Sequence, residues 1–404
     1  MSRLVRALRL AVFTVGLLPG LCWAQSSDPH ETLGYVLPSF GFDTDDGLGG
    51  GLRVEWVQRP EGVSPYQSAW MVQGWATQSG YQDHEFRWER RLLGAQKRMR
   101  VLTYGGYRKW LRDGYWGIGN STVRDASSED VESEDWYTYG LAQAYGRLAF
   151  YQDLGRNGWA LYGGLLAQFS VIEVYEQSLL AEELPYGVEG GGLLQPLFGL
   201  RIDRRTPEVA PRDGFLLELG GRFSPRLLGE SSGFGGPFLS YRKFLAWGER
   251  AVWATRWRGE WLFGDVPFYE MVHWGGYVPV AGFGGAETLR GISSGRWRGP
   301  GKAIASLELR LDVYERTVRS YPLRFEVAPF GDLGFVFGDD LVKSVAVPTD
   351  PVHVGAGLGV RVIVDGTFVG GMDFGVGRDP MFDPAGNVLE EYTPGLYLYA
   401  DHPF

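Results

Sequence analysis

The stretch Leu323 to Phe337, LRFEVAPFGDLGFVF, sorts its side chains by parity. Leu323, Phe325, Val327, Leu333, Phe335 and Phe337 share one face, while Arg324, Glu326 and Asp332 all fall on the other. A period of two is the mark of an extended strand lying between two unlike environments. From Lys302 to Val313 the pattern recurs, with Lys302, Ser306, Glu308, Arg310 and Asp312 opposed by Ala303, Ala305, Leu307, Leu309, Leu311 and Val313. Ala251, Trp253, Thr255, Trp257, Trp261 and Phe263 oppose Arg256, Arg258 and Glu260, and a valine-rich face running from Val352 to Val364 opposes His353 and Arg361. These runs are long. A sandwich strand averages about five or six residues, whereas a tilted strand crossing a bilayer needs about nine to eleven. Charges of both signs aligned behind faces rich in Trp and Phe point to a transmembrane antiparallel β-barrel with a charged lumen and a lipid-facing exterior, against a secreted sandwich or propeller.

Segments of this kind begin near Leu33, Asp46, Tyr66, Asp83, Lys97, Glu134, Gly158, Gly191, Gly214, Gly236, Arg250, Lys302, Pro322, Val352, Thr367 and Gly395. The pattern therefore predicts about sixteen strands, an even number as single-chain bacterial barrels require. The final segment places Leu396, Leu398, Ala400, His402 and Phe404 on one parity, a common ending for an outer-membrane barrel.

Composition changes the picture at the N-terminus. Arg3, Arg6 and Arg9 precede an apolar run from Leu10 to Leu18 and a Cys22-Trp23-Ala24 end, which reads as a secretory signal over residues 1–24, too short to span as a helix. The mature chain, 25–404, is then one outer-membrane barrel domain of a Gram-negative-type bacterium, with the lipid bilayer as its first partner. Cys22 is the only cysteine, so no disulfide and no thiolate metal site is expected after processing. Taking the three signal arginines from 39 basic residues leaves 36 against 48 acidic ones, a mature net charge of −12 that argues against nucleic acid as a partner.

Candidate chemistry is sparse. Gly291-Ile292-Ser293-Ser294-Gly295 fits G-x-S-x-G, but that motif needs a strand–turn–helix elbow and a positioned histidine, and neither is visible. His30, His84, His273, His353 and His402 show no metal-ligand spacing. No enzymatic activity, metal or cofactor is expected. The acidic run Arg124 to Glu134, RDASSEDVESE, reads as a solvated extracellular loop.

One connection is anomalous. Nearly forty residues separate the Ala251 and Lys302 strands, and Gly284 to Gly301 within them reads GGAETLRGISSGRWRGPG. Long loops in compact proteins are usually functional. The stretch resembles the long loop between strands eleven and twelve of the BamA/TamA superfamily of outer-membrane assembly and secretion barrels, with Leu289-Arg290-Gly291-Ile292 as its Arg-Gly tip. Ile292 departs from the aromatic usual there. Tyr115 to Asn120, Arg201 to Arg205 followed by Pro211 to Gly214, Gly264 to Phe268 leading into Gly275-Gly276, and Phe330 to Gly334 are similar to family segments in the same order.

The resemblance implies that the loop folds into the lumen and that Arg290 pairs with Asp332, with Glu326 nearby; independently, Asp332 lies on the charged parity, and a guanidinium fork suits a carboxylate. Most members of the superfamily carry POTRA repeats ahead of the barrel, and none is expected here, so a periplasmic partner protein or direct contact with unfolded outer-membrane proteins would take their place. The closing strands hold Pro38, Pro394 and Pro403 beside the terminal Phe404, and proline cannot donate to a ladder. A weak seam open to strand addition is the expectation, with Ser39 and Leu398 as positions for a cysteine lock. Insertion, assembly or translocation of proteins or lipids is the function implied; a passive or gated channel is the alternative.

Overall fold

The computed structural model describes residues 23–400 apart from 26–29, 62, 64–65, 121, 126–134, 156, 208–209, 227–232, 281, 319–320, 339–351, 365–367 and 384. Sixteen strands of ten or more residues run in chain order: β1 His30–Asp43, β2 Gly47–Pro60, β3 Ser68–Thr77, β4 Gln82–Leu93, β5 Met99–Gly114, β6 Thr138–Asp153, β7 Trp159–Glu173, β8 Gly191–Asp203, β9 Gly214–Ser224, β10 Phe234–Trp247, β11 Ala251–Trp261, β12 Gly301–Val318, β13 Tyr321–Phe337, β14 His353–Val364, β15 Phe368–Phe382 and β16 Val388–Ala400. Three short strands bring the single sheet to nineteen. Each long strand pairs antiparallel with its successor, and β16 returns to β1 through Tyr397↔Asp43. No described helix is long and apolar enough to cross a membrane, which says nothing about crossing by strands.

Alternation in sequence becomes alternation in burial. On β12, Lys302, Ser306, Glu308 and Arg310 are buried while Leu307 and Val313 are exposed; on β13, Glu326, Ala328, Phe330 and Asp332 are buried while Leu333 and Phe335 are exposed. The order of a soluble protein is inverted along these strands, with the charges inside and most large apolar side chains outside, Ile304, Phe330 and Val336 excepted. Phe40, Trp56, Phe169, Phe198 and Trp257 continue the exposed apolar exterior around the wall. The alternation read from sequence stops at Val313 because a bulge there shifts the β12–β13 register between Asp312 and Tyr314.

Three expectations change. The last strand begins at Val388, not near Gly395, because its first residues include Glu390 and Glu391 and carry no apolar alternation; the Asp383 carboxylate accepts from the backbone N–H groups of Ala385 and Asn387 and closes the β15–β16 turn. Arg124 is not a solvated loop residue. Arg124–Asp125 pairs parallel with Met381 and Phe382 of β15, and Arg124 meets Asp379 at 3.5 Å and bonds Glu391, while residues 126–134 lie outside the description. At the seam, Tyr397↔Asp43 sets a register in which Leu398 lies opposite Phe42, so Ser39 is not its partner. Pro38 sits in β1 paired to Leu52 of β2 and Pro394 in β16 paired to Val376 of β15. Pro403 and Phe404 lie outside the described residues, as does most of the expected signal, although Trp23–Gln25 pairs with β1 at Thr32 to Gly34.

Candidate functional site

Residues 262–300 connect β11 to β12; Phe263–Gly264 still pairs with β10 in the wall, and beyond it Trp274, Phe283, Leu289, Ile292 and Trp297 are buried against Ile304 and Val336 of the wall. The tip of this loop is closed by short-range bonds. The Thr288 hydroxyl donates to Gly284 O at 2.6 Å and accepts from Gly284 N at 2.9 Å, and Gly285 N donates to Ile292 O at 2.7 Å. Gly291, at φ +90°, cannot be replaced without strain, since a Cβ there would stand 2.4 Å from Gly377 N.

The wall is shaped to receive this tip. Lumen-facing positions on three adjacent strands are Gly355, Gly357 and Gly359 on β14, Gly375 and Gly377 on β15, and Gly395 on β16, all brought side by side by the registers. Of these, Gly355, Gly375 and Gly377 form the floor under the tip: a Cβ on Gly355 would lie 2.2 Å from Arg290 O, one on Gly375 2.9 Å from Arg290 C, and one on Gly377 2.6 Å from Gly291 O.

Carboxylates rim that floor. Arg290 binds Asp332 through both arms of its fork, Nε to Oδ2 at 2.8 Å and Nη2 to Oδ1 at 3.1 Å, and its backbone N–H adds a third bond at 3.1 Å. Nη1 donates to Glu308 Oε1 and to Asp373 Oδ2, each at 2.7 Å, and the guanidinium stacks 3.4 Å above the Phe330 ring. Burial alone would lower the pKa of Arg290, but Asp332 and Glu308 reverse that and hold it well above the ordinary arginine range. Glu326 does not touch Arg290. It accepts from Arg361 Nη1 at 3.1 Å, and Arg361 in turn reaches Glu308 at 2.8 Å, so Glu326 stands one residue removed from the tip. The tip also reaches the closing strand: Gly291 N donates to Tyr397 Oη at 3.1 Å and Thr393 Oγ1 donates to Gly291 O at 2.6 Å. Ile292 packs over Gly377 instead of stacking.

Further anchors hold the rest of the loop. Arg296, fully buried, donates through Nε to Asp379 Oδ1 at 2.8 Å and through its two terminal nitrogens to Thr122. Burial lowers its pKa despite Asp379, so this cation is less well compensated than Arg290. At the start of the loop, Arg222 of β9 binds Glu260 at 2.8 Å and Glu270 at 2.7 Å, Lys302 joins Glu260 at 2.7 Å, and Arg147 holds the carbonyls of Gly276 and Tyr277. Asp379→Asn should therefore loosen only the middle of the loop. Tryptic cleavage after Arg296 is expected to accelerate about tenfold, the equivalent of about 1.4 kcal/mol, with cleavage after Arg290 unchanged.

Between the loop and the wall from β4 to β9 a cavity of about 250 Å³ remains. Gly291 to Gly295, the G-x-S-x-G match, begins within the tip and runs on into the loop, with Ser293 O accepting from Arg296 N. Among the described residues no group of three metal-ligating side chains is placed to hold an ion.

The parity pattern marked Glu308, Arg310 and Arg361 as lumenal, but reasoning strand by strand missed Glu308 and Asp373 as partners of Arg290, and missed Thr393 and Tyr397 altogether. A signal for Asp373 was present in Gly370-Gly371-Met372-Asp373-Phe374-Gly375, a carboxylate among glycines as in the Asp332 motif.

A sixteen-stranded barrel whose eleventh connection folds inward and seats an arginine on wall carboxylates defines the class of plugged outer-membrane-type barrels. Residues 194–366 match the Omp85 superfamily domain, a span from β8 to just past β14 that contains the whole loop and Asp332. The fold is similar to that of BamA from Haemophilus ducreyi lacking POTRA domains 1–3, at 13% identity and a TM-score of 0.59, covering 91% of this chain and 70% of that one. It is also similar to CdiB from Escherichia coli (17%, TM-score 0.58, 94% and 63%) and CdiB from Acinetobacter baumannii (13%, 0.51, 93% and 60%). The chain thus spans less than two thirds of the length of either CdiB. No curated protein matches it in sequence. The resemblance to the BamA/TamA superfamily is borne out by these matches.

Proposed function

We propose that the protein is exported through its N-terminal signal to the outer membrane of a Gram-negative-type bacterium, where it takes part in inserting, assembling or translocating proteins or lipids. In this reading the exposed apolar face meets the bilayer, the loop of residues 262–300 keeps the lumen closed, and the β1–β16 seam opens to take an incoming strand by edge pairing. The observation that carries it is the bond from the tip to the closing strand: Tyr397 supplies both the seam pair with Asp43 and the hydroxyl that accepts from Gly291. Loop seating and seam closure thereby share one residue, its backbone at the seam and its hydroxyl at the tip. Unfolded outer-membrane proteins are the clients this geometry favours, delivered directly or by a periplasmic partner, and the reading contains no catalytic step.

A reversible lock tests it. Phe42→Cys with Leu398→Cys, one step from the observed pair, should form a disulfide under oxidation. In cells whose only copy is the locked protein, quantitative proteomics of outer membranes should show selective loss of client proteins that returns on reduction. An unchanged outer-membrane profile in the oxidised state would sink the proposal. The cavity beside the loop favours a second reading, a gated channel. Single-channel recording separates the two: large steady conductance supports the channel, and small erratic conductance that grows on deleting residues 284–301 supports the plugged assembly barrel.

A further inference from the structure

The cavity on the far wall from Arg290 is lined by Arg147, Arg222 and Glu270, which anchor the loop, and by charged groups of β4 and β5 that the plug does not use. Along β4 the residues lining it are Asp83, Glu85 and Arg87, spaced by two, so that two carboxylates and a guanidinium follow one another up a single strand. Two residues of strand span about 7 Å. Arg108 on β5 faces Asp83 in the register, and Arg147 on β6 completes the basic side.

These groups are poorly satisfied by the protein itself. Among the described residues Arg87 has no hydrogen-bonded or ion-paired partner. Arg108 donates its Nε to Gln143 Oε1 at 2.9 Å and leaves its two terminal nitrogens uncommitted there. Buried Arg147 leaves Nε without a partner, as Asp83 does one carboxylate oxygen. Glu85 receives one long bond, from the Tyr145 hydroxyl at 3.4 Å. Around Arg290, on the opposite wall, the charges are by contrast matched tightly. Opposite charges facing a shared void with open valences are a site awaiting a ligand of both signs. The volume of about 250 Å³ exceeds the 150 Å³ cavity known to take benzene.

We propose that this cavity binds a small zwitterion, an ammonium joined by a short chain to a phosphate or carboxylate, with Arg87 and Arg108 taking the anion and Asp83 and Glu85 the cation. The arginine forks suit either oxyanion, and the carboxylates accept the ammonium protons. The site is separate from the Arg290 cluster, so it stands or falls independently of any role in protein assembly.

Isothermal titration calorimetry of the full chain in detergent, with phosphoethanolamine and with glycine as probes, is the test. Saturable binding of either is expected, weakened about tenfold or more by Arg87→Gln and likewise by Asp83→Asn. Inorganic phosphate alone and ethanolamine alone should each bind about tenfold more weakly than the joined molecule. Variants are compared only where heat-modifiable gel mobility shows a folded barrel, and Arg108→Gln and Glu85→Gln replace any that fail. The proposal is overturned if neither zwitterion binds, if phosphate or ethanolamine alone binds as tightly, or if the folded variants bind like the parent.

Discussion

Arg290→Ala is expected to unseat the loop tip, lowering the stability of the barrel by about 3–5 kcal/mol and raising conductance through the lumen. The reason is electrostatic. Asp332, Glu308 and Asp373 converge on one guanidinium that is 1% exposed. Removing it leaves Asp332 with no cationic partner within ion-pair distance among the described residues, while Glu308 keeps Arg310 and Arg361. Breaking a buried pair from one side costs far more than the pair contributes, because the remaining charge stays desolvated. Arg290→Lys should recover only part of the loss, since an ammonium is a point charge and cannot span three carboxylates as the fork does. Adding Asp332→Asn to the alanine variant should restore some stability by discharging the orphan. Thermal unfolding by loss of heat-modifiable gel mobility reads the first effect, and planar-bilayer recording the second. A melting point and conductance equal to the parent would show that the cluster does not hold the loop.

Gly355→Val attacks the same seat without touching a charge. A Cβ there would fall 2.2 Å from Arg290 O, and because the neighbour is backbone, no flexible side-chain end can give way. The tip must lift off the floor, and the overpacking itself costs about 1–3 kcal/mol. The variant should therefore conduct like Arg290→Ala although every member of the ion cluster is intact. Gly331→Ala, one residue from Asp332, is the control, since a Cβ there meets nothing within 4 Å and should leave both readouts unchanged. If Gly355→Val behaved like that control, tip contact with the wall would be irrelevant to closure.

Most of the wall was legible in the sequence because strand parity is local. A lipid-like exterior and a charged interior impose the same period on every strand, so Glu308, Asp332 and Arg361 announce their face without any knowledge of their partners. Pairing across the lumen is not local. Nothing along the chain says that Asp373, 83 residues beyond Arg290, shares its guanidinium, or that Glu326 turns to Arg361 instead. The glycines of β14, β15 and β16 carry no parity signal of their own, and only the register shows them adjacent. Arg124 was misread for a related reason: a charge run is usually solvated, and its crossing to β15 depends on a parallel pairing from far away in the chain. The start of β16 escaped because polar strand residues beyond the apolar band carry no alternation.

A hoop parts at its weakest joint. Fourteen registered pairs fasten β1 to β2 and thirteen fasten β15 to β16, yet among the described residues one pair alone, Tyr397 with Asp43, fastens the two ends to each other. Lateral tension in the surrounding sheet of lipid would accordingly concentrate at that rivet, so thinning or stretching of the bilayer would act on this wall as a crowbar acts on a split ring.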